Sequence, residues 1–170
     1  MKVIFLDIDG VLNFSGCKER LGSIFFVNDE KIKILKEIID KTNAKIVLSS
    51  TWRYGWHDID NGDNESVNAK EFLALKEKLL EFGIELFDKT KNINGNRPEE
   101  IIEWLSRRND VENILILDDK YSMQLLNKFF LQTSFREGLK PSHIKHAVEM
   151  LEGQKFIEYI EKQKYKEEER

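Results

Sequence analysis

A single cysteine, Cys17, stands in these 170 residues, so no internal disulfide can form and no cysteine-built zinc cluster can exist. A reducing compartment, the cytoplasm, is the expected setting. Long apolar runs are lacking as well. The first, Val3 to Leu6, is broken by Asp7, too soon for the core of a secretory leader, and no later stretch reaches the roughly 20 residues that cross a bilayer. No membrane partner is expected. Nor is there an excess of positive charge. The 27 basic and 31 acidic residues leave a net charge of -4, which argues against gripping nucleic acid by overall charge while leaving room for a local basic patch. Internal repeats and low-complexity linkers are absent. With 41% hydrophobic and 34% charged residues the chain reads as one globular domain, residues 1–170, with a core of ordinary size.

What is present begins with "VIFLDIDGVLN", Val3 to Asn13. The continuous apolar run suits a strand buried on both faces of a parallel sheet. Strand residues two apart share a face, so Asp7 and Asp9 bring two carboxylates close together at the strand's carboxyl end, and two such anions repel unless something cationic joins them. In open α/β sheets that end faces the ligand crevice. Four further runs read as strands: Lys45 to Leu48, Ile84 to Phe87, Asn113 to Leu117 and Lys128 to Gln132. Between them Ile32, Leu35, Ile38 and Ile39, then Phe72, Leu75, Leu79 and Leu80, then Ile101, Ile102 and Leu105 recur at helical spacing. Alternating strands and helices with right-handed crossovers predict a three-layer α/β domain. Gly55 to Asn68 reads as a polar loop beside the crevice. Its "DIDNGDNES" falls short of a calcium loop, because Gly62 comes one place early and Ala69 stands where the closing Glu belongs. The tail, about 153–170, is expected to be a docked helix bearing Phe156, Ile157 and Ile160 on one face, with a charged, frayed end.

The other strand ends are polar too. The second run finishes as Ser49-Ser50-Thr51-Trp52-Arg53, small hydroxyls and backbone N–H groups that are phosphate ligands by type. The fourth ends in Asp118-Asp119. Three or four carboxylates converging on one crevice need a cation, and hard oxygen ligands of this kind select Mg²⁺. Arg97-Pro98-Glu99-Glu100 marks a helix start, with Pro98 at the favoured first position, which brings Arg97 toward the same edge.

In this order, "DIDGVL", "VLSS", "NRPEE" and "LILDD" resemble the four motifs of the haloacid dehalogenase (HAD) superfamily of phosphohydrolases, over Val3 to about Thr133. The wording "VLSSTWR", "RPEEIIEWL" and "ILDD", followed by "LQT" and "GL", is similar to the HAD domain of Swiss Army Knife RNA repair proteins. The resemblance implies a Rossmann-like sheet of five parallel strands in the order 5-4-1-2-3. Between the first two motifs lies only a flap-like segment, Val11 to Phe26, and one helix, so no large cap is expected. It further implies a Mg²⁺-dependent phosphatase in which Asp7 attacks phosphorus and Asp9 is the general acid and base. Ser49, Ser50 and Arg97 would bind the phosphoryl oxygens. Asp7, the backbone carbonyl of Asp9, and Asp119 would hold the metal, with Asp118 behind them or also ligating. The family more often has Lys in the third motif, so Lys89 and Lys91 compete with Arg97. The implied substrate is a phosphorylated small molecule or a nucleic-acid end, with Trp52, Trp56 and Phe14 available either to stack on a base or to pack in the core. A capless site leaves room for closure by a homo-oligomer. Transfer to an acceptor other than water, and a non-catalytic phosphate-binding module, are the alternative readings.

Overall fold

The computed structural model describes residues 1–120, 122–153 and 155–159. The order along the chain is β1 (Lys2–Leu6), β2 (Arg20–Leu21), β3 (Ile24–Phe25), α1 (Asp29–Thr42), β4 (Lys45–Leu48), α2 (Arg53–Asp60), α3 (Val67–Glu81), β5 (Leu86–Lys89), α4 (Arg97–Ser106), β6 (Asn113–Asp118), β7 (Phe130–Gln132) and α5 (His143–Glu152). A five-stranded parallel sheet runs β5-β4-β1-β6-β7. Numbered among themselves and read from β7, its strands are 5-4-1-2-3, as expected. β2 and β3 form a separate antiparallel hairpin, and among the described residues no cap domain interrupts the sheet.

Strand parity divides the interior in two. Ile4, Leu6, Ile46, Leu48, Leu115 and Leu117 point to one face and meet Ile32, Leu35 and Ile38 of α1, Phe72, Leu75 and Leu79 of α3, and Ala147 and Leu151 of α5. Val3, Phe5, Val47, Ile114 and Ile116 point to the other. They meet Ile101 and Trp104 of α4 and the 3-10 turn Gln124–Phe129. Three layers result, each apolar strand face covered by helix.

Helix ends follow local chemistry. Asn28 accepts from the backbone of Glu30 and Lys31 to start α1, and Asn43, in the left-handed region at φ 55°, ends it. Pro98 in the first turn and Asn96 as cap start α4.

Three expectations shift. The third strand spans Leu86–Lys89 rather than Ile84 to Phe87, because Ile84 closes the end of α3, its N–H bonded to Leu79 O at 3.0 Å. Polar Asp88 and Lys89 are tolerated there because β5 is an edge strand. The fifth strand is Phe130–Gln132, since the residues before it wind into the 3-10 turn. Gly55 to Asn68 is not all loop: α2 runs to Asp60, and the acidic stretch caps α3, with Asp58 accepting from the Ser66 hydroxyl at 2.7 Å. Of the expected tail helix, residues 156–159 are helical and pack Phe156 and Tyr159 on Phe129, ring centres 5.1 and 5.2 Å apart. Residues 160–170 lie outside the described residues. No helix among the described residues is long and apolar enough to cross a membrane.

Candidate active site

The hydrogen-bond ladder continues one step past the carboxyl ends of the strands. Leu6 O accepts from Ser49 N at 2.9 Å, Leu117 O from Asp7 N at 2.9 Å, Leu48 O from Thr90 N at 3.0 Å, and Asp118 O from Thr133 N at 2.9 Å. Since Leu6 is level with both Leu48 and Leu117, the next row holds Ser49, Asp7 and Asp118 side by side. Side chains at matched positions of a parallel sheet share a face. Asp7 follows Val3 and Phe5 in parity, so this row lies on the α4 side.

α4 brings Arg97 to that row. Arg97 is 5% exposed, and its NH1 stands 3.3 Å from Ser49 Oγ, 3.3 Å from Asp118 Oδ2 and 3.7 Å from Asp7 Oδ1. One turn on, Glu100 is fully buried and approaches Arg97 Nε at 3.6 Å. Its Oε1 accepts from Arg53 NH2 at 2.7 Å and from the backbone of Ile93 at 3.1 Å. Arg53, also buried, donates NH1 to the carbonyls of Ser49 and Ser50 at 3.1 and 2.8 Å. Arg53 and Glu100 therefore tie together the Ser49–Ser50 turn, the loop before α4 and Arg97. Sequence reading missed both. The signal was there in Glu100, which stands at helical spacing from Arg97.

After Asp7 the chain turns sharply. Gly10 sits at φ 78°, and a Cβ there would lie 2.3 Å from Asp119 Oδ2, so only glycine lets the two acidic loops meet. Thr133 Oγ1 holds Gly10 O at 2.6 Å. The Asp9 carboxylate turns toward the hairpin side: Oδ1 accepts from Asn13 Nδ2 at 2.7 Å and Oδ2 from Trp52 Nε1 at 3.1 Å. Asn13 is fully buried and also accepts from Gly10 N at 3.0 Å. Trp52 and Asn13 thus orient Asp9, a role not read from the sequence.

Asp7, Asp118 and Asp119 each offer an oxygen within 4.8 Å of the others. Asp9 offers no side-chain atom to that group. Burial, then the like charge of Asp118, pushes the Asp7 carboxyl from its ordinary 3.8 up to about 6, against the opposing pull of Arg97, the Ser50 hydroxyl and the Ile8 backbone. Burial likewise raises Asp118 and Asp119. Asp118 Oδ2 is buried without a hydrogen bond. Crowded, half-satisfied carboxylate oxygens at one point fit a hard divalent cation.

The competitors for Arg97 are engaged elsewhere. Lys89 pairs with Asp60 and covers the Trp56 ring at 4.5 Å, and Lys91 pairs with Glu103 at 2.8 Å. Trp56 has Phe72 stacked on it at 5.2 Å, so it is a packing residue and not a free stacking surface. Phe14 is half-buried with Lys31 Nζ 4.9 Å from its ring centre. His57 turns its Nε2 to Thr90 O at 3.4 Å, and burial lowers its pKa.

Curated proteins offer no match to this chain. Known families do: residues 3–144 match the HAD domain in Swiss Army Knife RNA repair proteins. That span takes in all five strands of the parallel sheet, the row of polar strand ends and the start of α5. With a parallel sheet of the expected order, no cap and a buried acidic cluster of the kind in which this superfamily usually keeps a divalent metal, the chain belongs to that family of HAD domains, of the phosphohydrolase type.

Proposed function

We propose that this protein is a Mg²⁺-dependent phosphatase that hydrolyses a phosphomonoester through an aspartyl-phosphate on Asp7. The observation that carries the reading is the meeting of Asp7, Asp118 and Asp119 with one buried guanidinium, Arg97, that also reaches Ser49. Asp7 and Asp119, with the backbone carbonyl of Asp9, would hold Mg²⁺, and Asp118, paired with Arg97, would stand behind them. When bound, the metal supplies positive charge that offsets repulsion between the Asp7 carboxylate and the phosphate.

The residues divide the work. Arg97 and the hydroxyls of Ser49 and Ser50 bind the phosphoryl oxygens and hold the group in line, Arg97 by charge-assisted bonds. An Asp7 oxygen forms a bond to phosphorus as the bond to the leaving oxygen breaks. Asp9 gives that oxygen a proton and the alcohol departs. Asp9 then takes a proton from water, which attacks phosphorus, and inorganic phosphate leaves with Asp7 restored. Trp52 and Asn13 keep the Asp9 carboxylate beside the leaving group. The RNA repair proteins whose HAD domain this chain matches extend the proposal to a nucleotide or nucleic-acid end as substrate. A buried lone Cys17 accords with work in the cytoplasm.

The test is phosphate release from a panel of nucleotides, sugar phosphates and end-phosphorylated oligonucleotides, with Mg²⁺ and with chelator. Wild type is expected to turn over at least one class only with Mg²⁺, and Asp7→Asn to fall to background while its melting profile stays cooperative. An Asp7→Asn protein with most of its activity would remove the covalent route.

A further inference from the structure

A cleft of about 410 Å³ opens beside Asp9, between the β2–β3 hairpin and the α2–α3 pair. Its walls include Phe25, Trp52, Tyr54 and Phe135, with Glu71 on α3. The volume lies within the roughly 300–1,000 Å³ of small-ligand sites. Phe135 is 40% exposed yet fixed, its ring edge-on to Phe25 at 5.5 Å and 83° and its carbonyl accepting from Ser15 N at 2.7 Å. An exposed aromatic ring held in place is a preformed stacking surface.

Charge narrows the occupant. The ionisable side chains lining the cleft are Asp9, Tyr54 and Glu71, none of them cationic. The guanidinium groups beside the lining residues are already committed: Arg20 lies 3.9 Å over the Phe25 ring with its NH1 donating to Cys17 O and Glu19 O at 2.8 and 3.0 Å, and Arg53, 5.3 Å from the Tyr54 ring centre, is buried and bound to Ser49 O, Ser50 O and Glu100. Glu71 is half-buried and has no hydrogen-bond or ion-pair partner among the described residues. An ionised carboxylate only accepts hydrogen bonds, so it favours a ligand edge rich in N–H or O–H donors. A second phosphate in this cleft would meet two carboxylates and no free cation.

Resting on the phosphatase reading above, we infer that this cleft holds the leaving group, and that the leaving group is a single nucleoside without further phosphates. Its base stacks on Phe135, and its donors meet Glu71. The Phe135 face supplies affinity for any base, and the acidic lining selects mononucleotides over strand ends.

Two measurements test this separately from catalysis. The first is kcat/KM for guanosine monophosphate, β-glycerophosphate and an end-phosphorylated tetranucleotide in wild type, Phe135→Ala and Glu71→Gln. The mononucleotide is expected to lead, and Phe135→Ala to lower the ratio of nucleotide to glycerophosphate about tenfold, chiefly through KM. Glu71→Gln, which keeps shape, is expected to lower it less. A tetranucleotide hydrolysed as well as the mononucleotide, or equal losses on all substrates, would overturn the inference. The second is calorimetry with guanosine, which carries no phosphate, on wild type, Asp7→Asn and Phe135→Ala. Binding by the first two, weakened about tenfold in the third, supports the cleft even if no phosphomonoester is turned over, and then only the catalytic reading falls. Absence of guanosine binding alongside ordinary phosphatase activity would sink the cleft and spare the catalysis.

Discussion

Arg53 and Arg97 lie buried behind the phosphate edge with Glu100 between them; Asp7 and Asp118 also face Arg97, whereas Arg53 forms its ion pair with Glu100. In the sequence Glu100 is an ordinary first-turn acid that complements the helix dipole. In the fold it is the counter-charge for both arginines and an acceptor for the Ile93 backbone. Removing one partner of a buried ion pair costs about 3–5 kcal/mol, because the remaining charge is left uncompensated. Glu100→Gln is therefore expected to lower the unfolding free energy by about that amount in urea titrations. Its phosphate affinity should fall too, since Arg97 loses its support. A change no larger than that of an exposed control such as Glu81→Gln would show that the network carries little.

At the scale of elements, α2 has weak local reasons to be a helix. Its sequence RYGWHDID holds glycine and aromatic residues, and its first position has no side-chain cap. Tertiary contacts hold it instead: Arg53 anchors its start, and Trp56 stacks on Phe72 of α3. Gly55 is where the two helices touch, since a Cβ there would lie 1.9 Å from Asn68 O. Replacing glycine by alanine inside a helix ordinarily stabilises it by about 1 kcal/mol. Gly55→Ala is expected to do the opposite, destabilising by about 2 kcal/mol as the helices are pushed apart. Urea midpoints give the sign, and amide exchange should locate the loosening in α2. Stabilisation by Gly55→Ala would mean the pair has slack.

For the whole molecule the acidic edge couples stability to pH and metal. The Asp7 pKa of about 6 in the folded protein lies above its ordinary 3.8, so folding favours its protonated form. The stability this contributes is complete below about pH 4 and is lost as pH rises through about 6, on the order of 3 kcal/mol for Asp7. Asp118 and Asp119, also raised, act in the same direction. Wild type in chelator should therefore lose stability relative to Asp7→Asn between pH 4 and 6, measured by thermal melts across that range. A bound cation would take the place of the protons. Mg²⁺ is expected to stabilise the fold strongly at pH 7.5, by about 2.7 kcal/mol at a hundred times its Kd, and weakly near pH 4.5, read as a rise in melting temperature. Asp119→Ala should remove most of that response. Equal Mg²⁺-induced shifts in wild type and Asp119→Ala would refute the metal assignment.

Much of this architecture is written locally. Four apolar residues ending in Asp7, and the run ending in Asp118-Asp119, announce strands whose polar ends share one edge, because parallel strands all point the same way. Pro98 marks the start of α4 just as plainly, and so brings Arg97 toward that edge. The three layers follow from alternation and crossover handedness, while the strand order is what the family resemblance implies. Only the tertiary structure decided the rest. That Asp7 stands level with Ser49 and Asp118 depends on register, a property of paired strands that neither strand carries alone. The bond from Trp52 to Asp9, the partnership of Arg53 with Glu100 and the helical state of α2 all join residues distant in sequence or override local propensity. Propensity acts over a few neighbouring residues, whereas these contacts exist only once the sheet has brought its strand ends together.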